Sequence, residues 1–167
     1  MKKTALIYSF NTQKTSRAAK LIQEEFGGIL DEKNAEEIML QSFLQYDNYI
    51  LGVPTCFDGE LPNYWDEFLP DLEDANLKGK TFALFGAGDQ KGYPENFVDA
   101  IGLLGRVIEE RGGKLIGFVS TEGYEYESSK AQRGNQFCGL ALDFENQARQ
   151  VKPKISEWVG QLKKELI

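Results

Sequence analysis

Short runs that are apolar at nearly every residue alternate along this chain with longer runs that are apolar only at every third or fourth position. A strand with apolar residues on both faces must be covered on both faces, as in a parallel sheet sandwiched by helices. The strand-like runs are "TALIYS" (4–9), "ILD" (29–31), "NYILGVP" (48–54), "KTFALFGAG" (80–88), "KLIGFVS" (114–120) and "FCGLALD" (137–143). Between and after them, helical spacing predicts Ala18, Leu21, Ile22, Glu25 and Phe26 on one face of a first helix that stops at Gly27-Gly28. A weak helix is expected over 34–43. A short one over 63–72 turns Trp65, Phe68, Leu69 and Leu72 inward, and a long one starts at Asn96 and ends at Gly112-Gly113. A last one buries Ile155, Trp158, Val159, Leu162 and Leu166. Right-handed crossovers make such a chain doubly wound. The expectation is α/β, a five-stranded parallel sheet in one domain spanning 1–167. One stretch, "STEGYEYESSKAQRGNQ" (120–136), is too long and polar for an ordinary connection.

Composition narrows the chemistry. The chain has no histidine and only two cysteines, Cys56 and Cys138, far apart in sequence. That removes histidine triads, histidine metal sites and a disulfide framework. A net charge of −7 disfavours nucleic acid and anionic membranes and suits transient basic-faced partners, although solubility alone also accounts for it. The start "MKKTALIYSF" is basic, but its apolar run is too short for a signal peptide, and no run is long enough to span a bilayer. A cytoplasmic protein, expected to be a monomer, is the reading.

In open α/β sheets ligands sit beyond the carboxyl ends of the strands. Three strand ends carry polar or aromatic residues: "SFNTQKT" after the first strand, "TCFDGELPNYW" after the third and "AGDQKGYPENF" after the fourth. The first could hold a phosphate on helix N-terminal N–H groups with hydroxyls from Ser9, Thr12 and Thr15. The same residues equally suit a helix cap, and no Walker loop is present. Lys14 by itself reads as a solvated side chain. Phe57 and Tyr93 could stack on a flat ring, and Asp89 could accept a hydrogen bond from a ring N–H; each also fits simple packing or turn roles.

Taken together, these loops resemble the flavodoxins. "ALFGAGDQKGYPENFVDA" is similar to that family's third-loop signature, and "STEGYEYESS", "GLALDFENQ" and the terminal tryptophan helix extend the resemblance along the chain. It implies strand order 2-1-3-4-5, with the fifth strand interrupted by the long insert of long-chain members. It implies one noncovalent FMN, its phosphate within Ser9, Phe10, Asn11, Thr12, Gln13, Lys14 and Thr15. The ring would lie between Pro54, Thr55, Cys56, Phe57, Asp58 and Gly59 on one side and Gly86, Ala87, Gly88, Asp89, Tyr93 and Asn96 on the other. Glu145, in "GLALDFENQ", is carried over as a further cofactor-binding residue. Tyr93 matches the tyrosine that stacks on the outer ring face.

Two positions depart from the family pattern. Where "[ST]xTGxT" is usual, the chain has Phe10 for the first hydroxyl residue and Gln13 for the glycine. Losing one hydrogen bond to a charged group costs about 1.5–3 kcal/mol unless Ser9 or Asn11 replaces it. If the glycine were left-handed, Gln13 would add about 1 kcal/mol of strain. Phe10→Thr with Gln13→Gly is accordingly expected to tighten FMN. Cys56 stands where many members stack a tryptophan.

The function implied is a low-potential one-electron carrier between a reductase and acceptor enzymes, not a substrate-specific enzyme. Acids such as Asp58, Glu60, Asp89 and Glu95 would repel an added electron, about 1.7 kcal/mol for one charge at about 10 Å and an effective dielectric near 20. The family's backbone switch maps to the Phe57-Asp58 peptide, eased by Gly59. The insert is expected to serve docking. The rivals are an FMN-dependent quinone or nitro reductase and a binding module that has lost FMN. A phosphoaccepting receiver domain needs acids where the chain reads Tyr8-Ser9 and Gly52-Val53-Pro54-Thr55.

Overall fold

The computed structural model describes residues 1–167. Strands β1 (Thr4–Tyr8), β2 (Asp31–Asn34), β3 (Asn48–Gly52), β4 (Thr81–Ala87) and β5 (Lys114–Ile116) form one parallel sheet in the order β2-β1-β3-β4-β5. Helices α1 (Lys14–Glu25), α2 (Leu40–Phe43), α3 (Asn63–Glu73), α4 (Asp99–Glu110) and α5 (Val151–Glu165) cover it on both faces. The period-2 geometry of strands divides the apolar runs between two cores. Ala5, Ile7, Tyr49, Leu51, Phe82 and Leu84 face α3 and α4, whereas Leu6, Ile50, Ala83 and Phe85 face α1 and α5. Both tryptophans are buried with their N–H satisfied: Trp65 donates to the Gly52 carbonyl (2.9 Å) and Trp158 to that of Gly117 (2.8 Å).

Several elements differ from the sequence reading, among them the long helix, which starts at Asp99 rather than Asn96. The second strand is Asp31–Asn34 rather than 29–31. It is an edge strand of polar residues, in register Ala5↔Asp31 to Tyr8↔Asn34, so an apolar search misses it. Its charged side chains also discourage further strand addition. The weak helix over 34–43 shrinks to the single turn of α2. The run 114–120 is not one strand. Gly117 takes φ +77, and a Cβ there would lie 2.9 Å from the Trp158 ring nitrogen, so the chain turns out of the sheet at that point.

The excursion that follows holds a small antiparallel sheet in the order β6 (Val119–Ser120), β8 (Gln136–Phe137), β7 (Gln132–Arg133). The chain then returns as β9 (Leu140–Leu142). β5 pairs with Thr81–Ala83 of β4, and β9 with Phe85–Ala87, so the two are halves of one interrupted fifth strand. The insert packs on α4 and on the loop before it. Phe137, Tyr124 and Tyr126 surround Phe97 at ring-centre distances of 5.4–5.7 Å. At Gly102 a Cβ would run into the Lys130 carbonyl of the insert.

Candidate functional site

Parallel order brings the carboxyl ends of β1, β3, β4 and β9 to one edge. There the three loops, with the segment after β9, enclose a cleft of about 510 Å³ lined by Thr12, Gln13, Lys14, Thr15, Pro54, Thr55, Ala87, Gly88, Asp89, Tyr93 and Glu145. All eleven are among the residues singled out from sequence. A second cavity of about 400 Å³, between the insert and α5, lies away from this edge.

One end of the cleft is the start of α1. Its first intrahelical bond runs from the Arg17 N–H to the Gln13 carbonyl (3.0 Å), which leaves the N–H groups of Gln13 to Ser16 without a backbone acceptor. Thr15 is buried beside them. Thr12 donates through Oγ1 to the Ser9 carbonyl (2.8 Å), which tightens the turn. Gln13 has φ −90° and ψ −58°, ordinary right-handed backbone, so the strain expected of a residue in a glycine position is not there.

Ser9, Phe10 and Asn11 do not line the cleft. Ser9 is buried and donates to Glu36 (2.7 Å), and the Asn11 amide donates to the same carboxylate oxygen (2.7 Å). These two bonds hold the Glu36 carboxyl below its ordinary pKa. Both groups that could have replaced the missing hydroxyl are therefore engaged elsewhere. Phe10, 49% exposed, lays its ring against Tyr8 at 5.0 Å between centres.

The second loop is a hairpin closed by two backbone bonds between Cys56 and Glu60, both 2.8 Å. Phe57 is 78% exposed and left-handed (φ +45°), and Gly59 has φ +94°. A positive φ at a bulky residue is uncommon and collects at functional turns. A Cβ on Gly59 would fall 2.6 Å from Asp99 and 2.9 Å from Asn96, so close approach requires glycine there. Cys56, Phe57, Asp58 and Gly59 flank the cleft rather than line it. Burial, then Glu60, pushes the Cys56 thiol above its ordinary pKa.

In the third loop Asp89 accepts from the N–H groups of Gly92 (2.8 Å) and Lys91 (3.2 Å) and from the Asn146 amide (2.8 Å). The Gly92 bond leads in holding its carboxyl below the ordinary range. Tyr93 presents a ring that is 51% exposed. Gly86 sits inside β4 against the Val53 carbonyl, which a Cβ would strike, and Asn96 turns away to Asp99 (3.1 Å). The α4 start is unusual. Val98 is left-handed (φ +48°) and offers no side-chain cap, so Thr55 Oγ1 from the second loop accepts from the Ala100 N–H (3.1 Å). Lys14 and Glu145 form an ion pair along the cleft margin.

Sequence reasoning missed Glu36, Gln90, Asp99, Asp143 and Asn146. Asn146 and Asp143 stand behind the lining residues Asp89 and Glu145, with Gln90 behind Asp143, whereas Glu36 holds Ser9 and Asn11 and Asp99 holds Asn96 outside the cleft; no spacing or periodicity marks any of them.

The sequence profile of the flavodoxin family matches residues 6–158. The chain belongs to the flavodoxin family. The flavodoxin of Trichodesmium erythraeum is 45% identical over 168 residues, spanning 99% of this chain and 98% of its own. That of Nostoc sp. strain PCC 7120 is 42% identical over 165 residues, 98% and 97% of the two chains. In solved structures, Fusobacterium nucleatum flavodoxin bound to flavin mononucleotide superposes with a TM-score of 0.94 at 32% identity over the whole of both chains. The strand order and the interrupted fifth strand agree with the flavodoxin resemblance read from the sequence.

Proposed function

We propose that the cleft binds one FMN noncovalently and that the chain carries single electrons at low potential between a reductase and acceptor enzymes. The observation that carries this is the donor set. A row of N–H groups free of backbone acceptors at a helix N-terminus, with the Thr15 hydroxyl beside them, suits a phosphate, and an exposed aromatic ring stands at the other end of the same cleft. The FMN bound by the Fusobacterium relative agrees with that donor set.

FMN, when bound, supplies the one-electron chemistry, and the protein binds and tunes it. The α1 amides of Gln13 to Ser16, with Thr12 and Thr15, would hold the phosphate. Lys14 would stay at the margin with Glu145. Tyr93 would cover one ring face and keep water from it, with the Cys56–Glu60 hairpin on the opposite side. Asp89 would accept from the ring edge while its own turn keeps it ionised. The carboxylates of Asp58, Glu60, Asp89, Glu95 and Glu145 oppose added negative charge, which lowers the potential in proportion to their closeness and burial. Partners would be basic-faced proteins that dock transiently on this acidic rim. A carrier of this kind has no substrate of its own to transform.

The test is to add FMN to flavin-free protein, follow fluorescence quenching, and then titrate with reductant. Tight one-to-one uptake and reduction in two separate one-electron steps are expected. Failure to bind FMN, or a single two-electron step with direct hydride uptake from NAD(P)H, would replace this reading with one of its rivals.

A further inference from the structure

The most connected polar group in the molecule lies behind the cleft, outside its lining. Asp143 follows β9 directly and is 2% exposed. Its Oδ2 accepts from the Gln90 N–H (3.1 Å), the Gln90 amide (2.8 Å) and the Asn146 amide (2.8 Å). Its Oδ1 accepts from the N–H groups of Glu145 (3.1 Å) and Asn146 (3.0 Å). All five partners are neutral N–H donors. A carboxylate is the one side chain that can accept all five at once, because an amide presents two donors in place of one oxygen.

Each donor leads onward. Gln90 Oε1 accepts from the Glu125 N–H of the insert (2.6 Å). Asn146 also donates to Asp89 Oδ1 (2.8 Å), in the cleft. Glu145 lines the cleft and pairs with Lys14 on the phosphate loop. The insert is tied to the third loop from the far side, where Glu127 and Ser128 N–H groups donate to the Pro94 carbonyl (2.8 and 3.0 Å) and Ser128 Oγ donates to that of Glu95 (2.6 Å).

We infer that Asp143 is a positioning residue for the cofactor: it sets where Asp89 and Glu145 stand in the cleft, and it joins the insert to that placement through Gln90. This rests on the cleft being the FMN site. It also gives the insert a role beyond docking, as a brace for the third loop.

The decisive variant is Asp143→Asn, which keeps the shape but points donors at donors. In the FMN-free protein, amide hydrogen exchange should speed up at Gln90, Lys91, Gly92, Glu145 and Asn146 and stay unchanged in β1 and β3. FMN should bind ten- to a hundredfold more weakly, about the effect of one hydrogen bond to a charged group lost in the cleft when Asp89 and Glu145 are displaced. Asn146→Ala, at an exposed position, cuts the link to Asp89 while leaving Asp143 four of its five donors, and should weaken FMN several-fold without touching the fold. Unchanged FMN affinity in both variants would overturn the inference, as would faster exchange spread evenly over the sheet, which marks a purely structural carboxylate. A wild-type protein that fails to take up FMN would count against the reading of the cleft. The exchange pattern, read without cofactor, would still report whether Asp143 holds the loops.

Discussion

Thr55 carries a load that its place in the cleft lining does not advertise, and Thr55→Val isolates it. The hydroxyl is the side-chain acceptor for the Ala100 N–H in the first turn of α4, because the residue at the cap, Val98, is left-handed and offers nothing. Ala100 is fully buried, so water cannot stand in. Valine keeps the shape and removes the acceptor. Loss of a cap costs about 0.5–2 kcal/mol, and a buried donor left unmet about 1–3 kcal/mol. These describe the same bond, so about 1–2 kcal/mol is expected. In a protein of this size that lowers Tm by about 2–8 °C. The assay is urea and thermal unfolding of the FMN-free protein, with the urea slope checked to be constant. Thr55→Ser keeps the oxygen and should lose less than the valine variant. A valine variant within about 0.3 kcal/mol of wild type, or a serine variant as damaged as the valine one, would refute the capping argument.

Gln13→Gly should lower the stability of the FMN-free protein by about 0.5–1 kcal/mol and leave FMN no tighter, since Gln13 is right-handed and glycine only adds freedom to the unfolded chain; a gain in stability would contradict this. Asp89 has its carboxyl pKa lowered by folding, so its contribution is present above the ordinary carboxylate pKa and is lost as pH falls through the folded value. Below about pH 4 wild type should lose unfolding free energy more steeply than Asp89→Ala, and parallel curves would contradict the assignment. Cys56, with its thiol pKa raised by burial, should react with iodoacetamide at about pH 8 more slowly than free glutathione. Faster labelling would contradict the raised thiol pKa.

The sheet was legible because burial on both faces leaves an apolar mark in nearly every residue of β1, β3 and β4. β2 left no such mark: at the edge, Asp31, Glu32 and Lys33 are held by pairing with β1, and the backbone bonds responsible have no residue-type signature. Gly117 looked like one more small residue in an apolar run, and its turn follows from Trp158, which arrives from α5 far along the chain. The site divides the same way. Lining residues were found because their types and order repeat a family pattern. Asp143, Gln90 and Asp99 act through hydrogen bonds that reach distant parts of the chain and that residue type does not announce, and Gln13 departs from the pattern at a position whose backbone never needed glycine.

The split of the fifth strand has a consequence for the history of such chains. Ile116 stands opposite Ala83 and Leu140 opposite Phe85, so the excursion leaves and rejoins the sheet two positions apart along β4. Its ends are pinned whatever lies between them, and chain-closure entropy rises only as the logarithm of loop length, about 0.6 kcal/mol for each doubling. The sheet is nearly indifferent to how much chain is threaded through that gap. Growth or trimming there is limited by whatever has come to lean on the insert, including Phe97, Gln90, Pro94 and Gly102, and a lineage that released those contacts could shed the excursion while keeping its sheet order.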